Sequence, residues 1–401
     1  MANNGGVAGL FAGIGGLEIG LQKSGFHADL LCEIDPCAQR VLQRQFPDVP
    51  LHADVRKLKS LPSVEVVTAG FPCQDLSQAG AKRGIAGSQS SLVGHLMRLL
   101  GKAKRAPRWV VIENVSFMLS LDSGRAMRFL TGEFERMGYR WAYRVVDARS
   151  FDVPQRRLRV VLVASRVEDP REVLFADNVS DSSVIHSQRI QAPLVIDGVG
   201  PDRVEQVANK SYGFYWTEGR IGIGWTIDAV PPIKGGSGLG IASPPAVWVS
   251  SKNEFGMPTI ADGERLQGFP AGWTAPTEEV SRSLGMRWKL IGNAVCAHMS
   301  EWIGRRLHEP GTYDAKGERD FTSGSWPVAA YGHRGRVRVV NLSVWPLHSR
   351  GKVLTQFLKE PLKPLSERAA SGFLRRALLT EKIRYAPEFL NGLRAYIRQL
   401  N

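Results

Sequence analysis

The sequence predicts an α/β protein with a mostly parallel sheet, followed by a smaller loop-rich β domain and a basic C-terminal extension. Three observations carry this. Residues 1–165 alternate short apolar runs with amphipathic stretches, the pattern of strands and helices that builds a sheet covered on both faces. Residues 166–256 are rich in Gly, Pro, Ser and Val and show little helical periodicity. The last stretch, 310–401, holds sixteen Lys and Arg against seven Asp and Glu, more than half of the whole chain's positive excess.

Taken in order, Val7-Ala8-Gly9-Leu10-Phe11 reads as a first strand, and Leu17 to Lys23 as a helix with one apolar face. Leu30 to Glu33 is a second strand, Cys37 to Phe46 a second helix, and Leu51 to Asp54 a short third strand. The apolar runs Val64 to Ala69 and Arg108 to Ile112 read as buried strands. Tyr139 to Asp147 and the β-branched run Leu158 to Ala164 add two more. Helical character returns at Ile260 to Gln267 and Val295 to Leu307. In the tail, Val337 to Trp345 reads as strand, and Ser366 to Leu379 and Phe389 to Leu400 as helices.

Composition narrows the function classes. The chain has 401 residues, enough for one large domain or two unequal ones, a net charge of +14 and a pI of about 9.8. That charge favours a polyanionic partner, nucleic acid first. The four cysteines, Cys32, Cys37, Cys73 and Cys296, form no C-x-x-C pair and have no histidine cluster beside them. Zinc is therefore not expected, nor a disulfide scaffold, and a reducing cytoplasm fits. No secretory signal and no apolar stretch of membrane-spanning length stand out.

The chemistry concentrates at strand ends. Phe11-Ala12-Gly13-Ile14-Gly15-Gly16 joins the first strand to the first helix, where glycines let backbone approach a ligand. The spacing is neither G-x-G-x-x-G nor a P-loop, and a tight structural turn explains it almost as well. Glu33 ends the second strand, where a carboxylate accepts both ribose hydroxyls of a nucleoside. Asp54, followed by Val55, ends the third and could hold an adenine amino group. Cys73 lies in Gly70-Phe71-Pro72-Cys73-Gln74, on the loop that breaks the Val64 strand. The polar, glycine-containing loop onward to Ser91, with Gln74, Ser77 and Arg83, has the character of a mobile lid. Glu113, with Asn114 beside it, ends the Trp109 strand. A thiol and a carboxylate at adjacent strand ends supply a nucleophile and a proton donor. Gln155-Arg156-Arg157-Leu158-Arg159 adds two cations, Arg157 and Arg159, suited to a phosphate and a base carbonyl.

In this linear order, these segments resemble the DNA (cytosine-5)-methyltransferases over about three quarters of the chain. Glu113-Asn114-Val115 is similar to that family's proton-donor motif, and Gly70-Phe71-Pro72-Cys73-Gln74 to its nucleophile motif. Glu264-Arg265-Leu266-Gln267-Gly268-Phe269-Pro270 resembles the segment that closes its target-recognition region, and Gly292-Asn293-Ala294-Val295 its last motif. The resemblance implies a Rossmann-like catalytic domain over 1–165, a target-recognition domain over 166–285, a return segment over 286–310 and an extension over 311–401. It implies a cofactor site at Phe11, Gly13, Gly15, Gly16, Glu33, Ile34, Asp54, Val55, Gly70, Asn293, Ala294 and Val295. Catalysis falls to Cys73, Glu113, Arg157 and Arg159, and DNA contact to Gln74, Ser77, Arg83 and Arg265.

The implied reaction moves a methyl group from S-adenosyl-L-methionine to carbon 5 of a cytosine flipped out of double-stranded DNA, leaving S-adenosyl-L-homocysteine. Glu113 is expected to be held protonated. Neither metal nor membrane takes part, and restriction or other defence-system proteins are the expected partners. A tRNA cytosine-5 methyltransferase and a non-catalytic DNA-binding subunit are the alternatives. Two features depart from the family. Ile34 stands where a number of members carry an aromatic residue, and the basic tail runs past the last family motif.

Overall fold

The computed structural model describes residues 5–72, 91–179, 210–216, 223–234, 244–322, 324–348, 353–379 and 385–400. The strands in chain order are β1 Gly6–Leu10, β2 His27–Cys32, β3 Leu51–His52, β4 Val66–Ala69, β5 Trp109–Val115, β6 Arg140–Asp147, β7 Leu158–Ser165, β8 Ser211–Trp216, β9 Ile223–Ile227, β10 Ala246–Val249, β11 Glu254–Met257, β12 Arg319–Asp320, β13 Ala329–His333, β14 Arg336–Val340 and β15 Lys363–Pro364. The helices are α1 Gly16–Lys23, α2 Pro36–Gln45, α3 Leu92–Lys102, α4 Arg125–Arg136, α5 Pro170–Leu174, α6 Ile260–Leu266, α7 Leu284–Asn293, α8 Ala297–His308, α9 Leu354–Phe357, α10 Glu367–Leu379 and α11 Pro387–Leu400.

The chain divides into two compact units. The first comprises residues 1–151, 158–181 and 294–348, the second 152–157, 182–293 and 349–401. The first is built on a ten-stranded sheet of order β12-β14-β13-β6-β7-β5-β4-β1-β2-β3. Strands β3, β2, β1, β4 and β5 are parallel, and β7 then runs antiparallel to β5. Strand order reverses between β1 and β4, so a crevice opens beyond their carboxyl ends. The core strands read as near-continuous apolar runs because both faces are covered: Val66, Val67, Val110, Val111 and Ile112 are fully buried. Periodicity in α4 explains its seat on the sheet, with Met127, Leu130 and Phe134 inward.

The second unit has a five-stranded sheet, β15-β11-β10-β8-β9, antiparallel throughout. Its core is aromatic. Tyr212, Phe214, Trp225, Trp248 and Phe255 pack against Phe373, Tyr385 and Phe389 of the tail, with ring centroids 4.6 Å apart for Phe214–Phe373 and 4.3 Å for Trp225–Phe389.

The tail is therefore not a self-standing extension. Residues 319–340 supply β12, β13 and β14, which lengthen the first sheet through the β13–β6 pairing. Residues 363–400 supply β15 and two helices that close the second core. Alternate apolar residues on β13 and β14 and the spaced apolar residues of α10 and α11 each need a surface to cover. The two sheets provide one each.

Candidate active site

The loop after β1 turns on backbone that few side chains tolerate. Gly13 and Gly15 have φ of 56° and 85°, and Phe11, which is not glycine, also lies in the left-handed region at 56°. A side chain on Gly13 would meet nothing within 4 Å, so the loop presents bare backbone to open space. The Gly13 amide donates to Glu33 Oε2 at 2.8 Å, and the amides of Ile34 and Asp35 donate to Oε1 at 2.9 and 2.8 Å. Three donors thus fix the Glu33 carboxylate at the end of β2. The next side chain, Ile34, is 64% exposed. Asp54, half-buried, is gripped by the Arg56 guanidinium through two hydrogen bonds of 2.9 and 2.8 Å, which pull its carboxyl down to about 2. Val55 beside it is buried.

Val295 closes the loop from the other side. A Cβ on Gly16 would stand 2.5 Å from the Val295 carbonyl oxygen, so only glycine lets these backbones meet. Ser300 on α8 donates to the Leu17 carbonyl at 2.6 Å and holds the two helices together. Val295 also approaches Gly70, whose missing side chain would lie 4.0 Å from a Val295 methyl. Hence Phe11, Gly13, Gly15, Gly16, Glu33, Gly70, Ala294 and Val295 share the first unit and the carboxyl end of its sheet, while Asn293 ends α7 in the second unit.

The carboxyl end of β5 holds the second half of the site. Arg159 on β7 lies opposite Val115, which places it diagonal to Glu113 on the same face of the sheet. Its Nε lies 2.9 Å from Glu113 Oε1 as an ion pair, and both side chains are nearly buried. Burial lowers the proton affinity of Arg159, and the Glu113 charge opposes that. Asn114 is buried too. Its amide donates to the Phe71 carbonyl at 2.9 Å, two residues before Cys73, while its own oxygen accepts from the Val115 amide at 2.9 Å. Asn114 thus ties β5 to the segment that leads to Cys73.

Residues 6–215 match the family model described as C-5 cytosine-specific DNA methylase. The chain belongs to that family. It is 46% identical over 399 residues to the Type II methyltransferase M2.BsuMI of Bacillus subtilis (strain 168), with 98% of this chain and 99% of that protein covered. It is 33% identical to the Type II methyltransferase M.SsoII of Shigella sonnei over 313 residues, 74% of this chain and 78% of that protein. The crystal structure of the S. pombe Dnmt2 methyltransferase superposes with a TM-score of 0.50 at 16% identity, over 76% of this chain and 98% of that one, and shares the fold. The protein is thus a DNA (cytosine-5-)-methyltransferase. Among the described residues no helix is long and apolar enough to cross a membrane, and no group of three or more His, Cys, Asp or Glu could hold a metal.

Within this methyltransferase two arginines occupy positions that sequence reading did not foresee. Arg157 is 2% exposed, and its guanidinium donates to the carbonyls of Gly292 and Ile233 at 3.0 and 3.3 Å. It fastens backbone in the second unit rather than standing open to a flanking phosphate. Arg265 pairs with the buried Asp262 at 2.7 Å. Asp262 also accepts the amides of Lys359 and Glu360, so this pair pins the tail where a free DNA contact was expected. The neighbouring Glu264, fully buried, accepts from the Gly272 and Thr274 amides. Gln155 and Gln267 reach the carbonyls of Leu266 and Ile291 at 2.8 Å each. Gln155, Arg157, Glu264, Arg265 and Gln267 are thus scaffolding in this unit. Cys73, Gln74, Ser77 and Arg83, with most of the expected lid, lie outside the described residues.

Sequence reading also passed over Glu18, which looks like an ordinary first-turn acid facing a helix dipole. The structure buries it against β1 and β4. Its Oε1 accepts from Thr68 Oγ1 at 2.9 Å, in space left open by Gly9. Burial, with the Glu33 charge adding to it, pushes the carboxyl from 4.5 up to about 7. The folded state therefore holds a proton that the unfolded chain releases. Stability conferred by that proton is full below 4.5 and is lost as pH climbs to about 7. Glu18→Gln keeps a partner for Thr68 and removes the titration. Thermal melting should show the wild type losing on the order of 3 kcal/mol across this range relative to the variant. Parallel melting curves at all pH values would contradict it.

Proposed function

We propose that the first unit performs methyl transfer from S-adenosyl-L-methionine and that the second unit selects the DNA sequence. The observation that carries this is the meeting, at one reversal of strand order, of a nucleoside-shaped cradle and the Arg159–Glu113–Asn114 cluster tied to Phe71.

The residues present fit the donor. Glu33 has an acceptor site on Oε2 beyond the three its amides use, and this suits a ribose hydroxyl. Ile34 offers an exposed apolar surface to the adenine face, without the ring stacking an aromatic residue gives. Asp54 is positioned for an exocyclic amine, and its exposed pairing with Arg56 is weak enough to be exchanged. Bare backbone at Gly13 and Gly70 leaves room for the rest. When bound, the donor supplies an electrophilic methyl on a sulfonium.

The chain's own residues do the remainder. Carbon 5 of cytosine is a poor nucleophile. Attack of the Cys73 thiolate on carbon 6 pushes electron density to carbon 5, and Glu113 gives its proton to ring nitrogen 3 as that charge develops. Arg159 orients the Glu113 carboxyl and lies where the base carbonyl would be held. After transfer, water takes up the carbon-5 proton, the C–H electrons expel Cys73 as thiolate, and ring nitrogen 3 returns its proton to Glu113. Asn114 positions the nucleophile's loop through Phe71. The relatives' designation as Type II methyltransferases favours protection of host DNA within a restriction-modification system, with the cognate restriction proteins as functional partners.

Recognition by the second unit is tested by exchange. Because its core is completed from the tail, a transplant must carry residues 182–293 and 349–401 together. Bisulfite sequencing of host DNA should then show the donor's target methylated. Methylation still at the original site would sink the assignment.

A further inference from the structure

Most of the positive charge of the second unit comes from one place. Residues 182–293 hold ten Lys and Arg against ten Asp and Glu, whereas 349–401 hold eleven against four. A segment of net charge zero has no electrostatic claim on a polyanion; its C-terminal partner does.

The structure shows where part of that charge stands. On α10, Ala370, Phe373 and Ala377 face the aromatic core, which turns Arg368 and Arg375 outward, seven residues apart on one stripe. On α11, Phe389 and Leu393 face inward and Arg394 and Arg398 lie one turn apart on the exposed side. Arg394 touches only the Asn391 side chain and Arg398 only the Arg394 carbonyl, and none of the four is ion-paired among the described residues. Two other arginines of the unit are neutralised by carboxylates: Arg265 by Asp262, and Arg287 by Glu264 and Glu278. Outward arginines without carboxylate partners retain their full charge for a ligand.

We infer that the outer face of α10 and α11, through Arg368, Arg375, Arg394 and Arg398, binds the phosphate backbone of the target DNA. The tail helices thereby do two jobs, closing the recognition core with one face and holding the duplex with the other. The contact is electrostatic and carries no sequence information. This rests on the reading of the second unit as the DNA-selecting one.

The test is the salt dependence of binding to a mixed-sequence duplex, followed by fluorescence anisotropy on the full-length protein. Each phosphate contact adds about 0.9 to the slope of log affinity against log salt. Replacing the four arginines with Gln should lower that slope by about 3 to 4 and weaken binding equally for mixed-sequence and methylatable duplexes. Replacing them with Lys should restore most of it, because a phosphate accepts a point charge. An unchanged slope in the Gln variant, with its melting curve intact, overturns the inference. Loss confined to the methylatable duplex overturns it as well, since that would be base readout. In either case wild-type methylation of DNA stands as a separate measurement of the activity, and the two-segment exchange as a separate test of the second unit's role.

Discussion

Cys73→Ala abolishes DNA methylation while S-adenosyl-L-methionine binding stays near that of the wild type. The two outcomes separate because the thiol and the donor's cradle have different jobs. In the proposed assignment donor binding falls to Glu33, Asp54 and the glycine backbone, which the substitution leaves in place. Carbon 5 becomes reactive only when a nucleophile adds at carbon 6, and alanine offers none. Calorimetric titration with the donor and incorporation of a labelled methyl group into DNA measure the two halves. Ordinary turnover by the variant would refute the assignment of Cys73.

Glu113→Gln should reduce the methylation rate by a factor of about 10² to 10⁴, the usual worth of a positioned proton donor. Glutamine fills the same space but cannot pass a proton to ring nitrogen 3. The substitution also changes the group that faces the buried Arg159 guanidinium. Rates must therefore be read beside melting curves. A folded variant with slow single-turnover methylation supports the role, whereas a folded variant at wild-type speed removes it.

Much of this was legible in the sequence because strand ends announce themselves. Gly70-Phe71-Pro72 breaks an apolar run, and Glu113 is the first charge after four buried residues, so both fall towards the carboxyl ends of β4 and β5. Period-2 and period-3.6 patterns located seven strands of the first sheet within a few residues. What the sequence concealed were partners. Arg157 and Arg265 read as cations free for DNA, because nothing local reveals that carbonyls at 233 and 292, or a carboxylate made rigid by amides 359 and 360, will claim them. Glu18 was hidden for the same reason: its burial depends on Gly9 and Thr68, distant in the chain.

The tail was misjudged on charge. Its arginines dominated its composition, but its apolar residues, Phe373, Phe389 and Leu393, decide where it sits. Eight of the fourteen buried residues of the aromatic core lie beyond position 364, so the five-stranded sheet cannot bury its face without them. Charge patterning reports what a surface attracts, and hydrophobic spacing reports what it packs on; the two readings belong to opposite faces of the same helices.

The most direct measurement is capture on duplex DNA in which 5-fluorocytosine replaces cytosine. Fluorine at carbon 5 blocks the final elimination, so the wild-type enzyme with its methyl donor should form a stable protein–DNA adduct, and mass spectrometry of the digested adduct should place the modified nucleotide on the peptide containing Cys73. A donor-dependent adduct on another residue, or methylation of ordinary duplex with no adduct at all, would contradict the account.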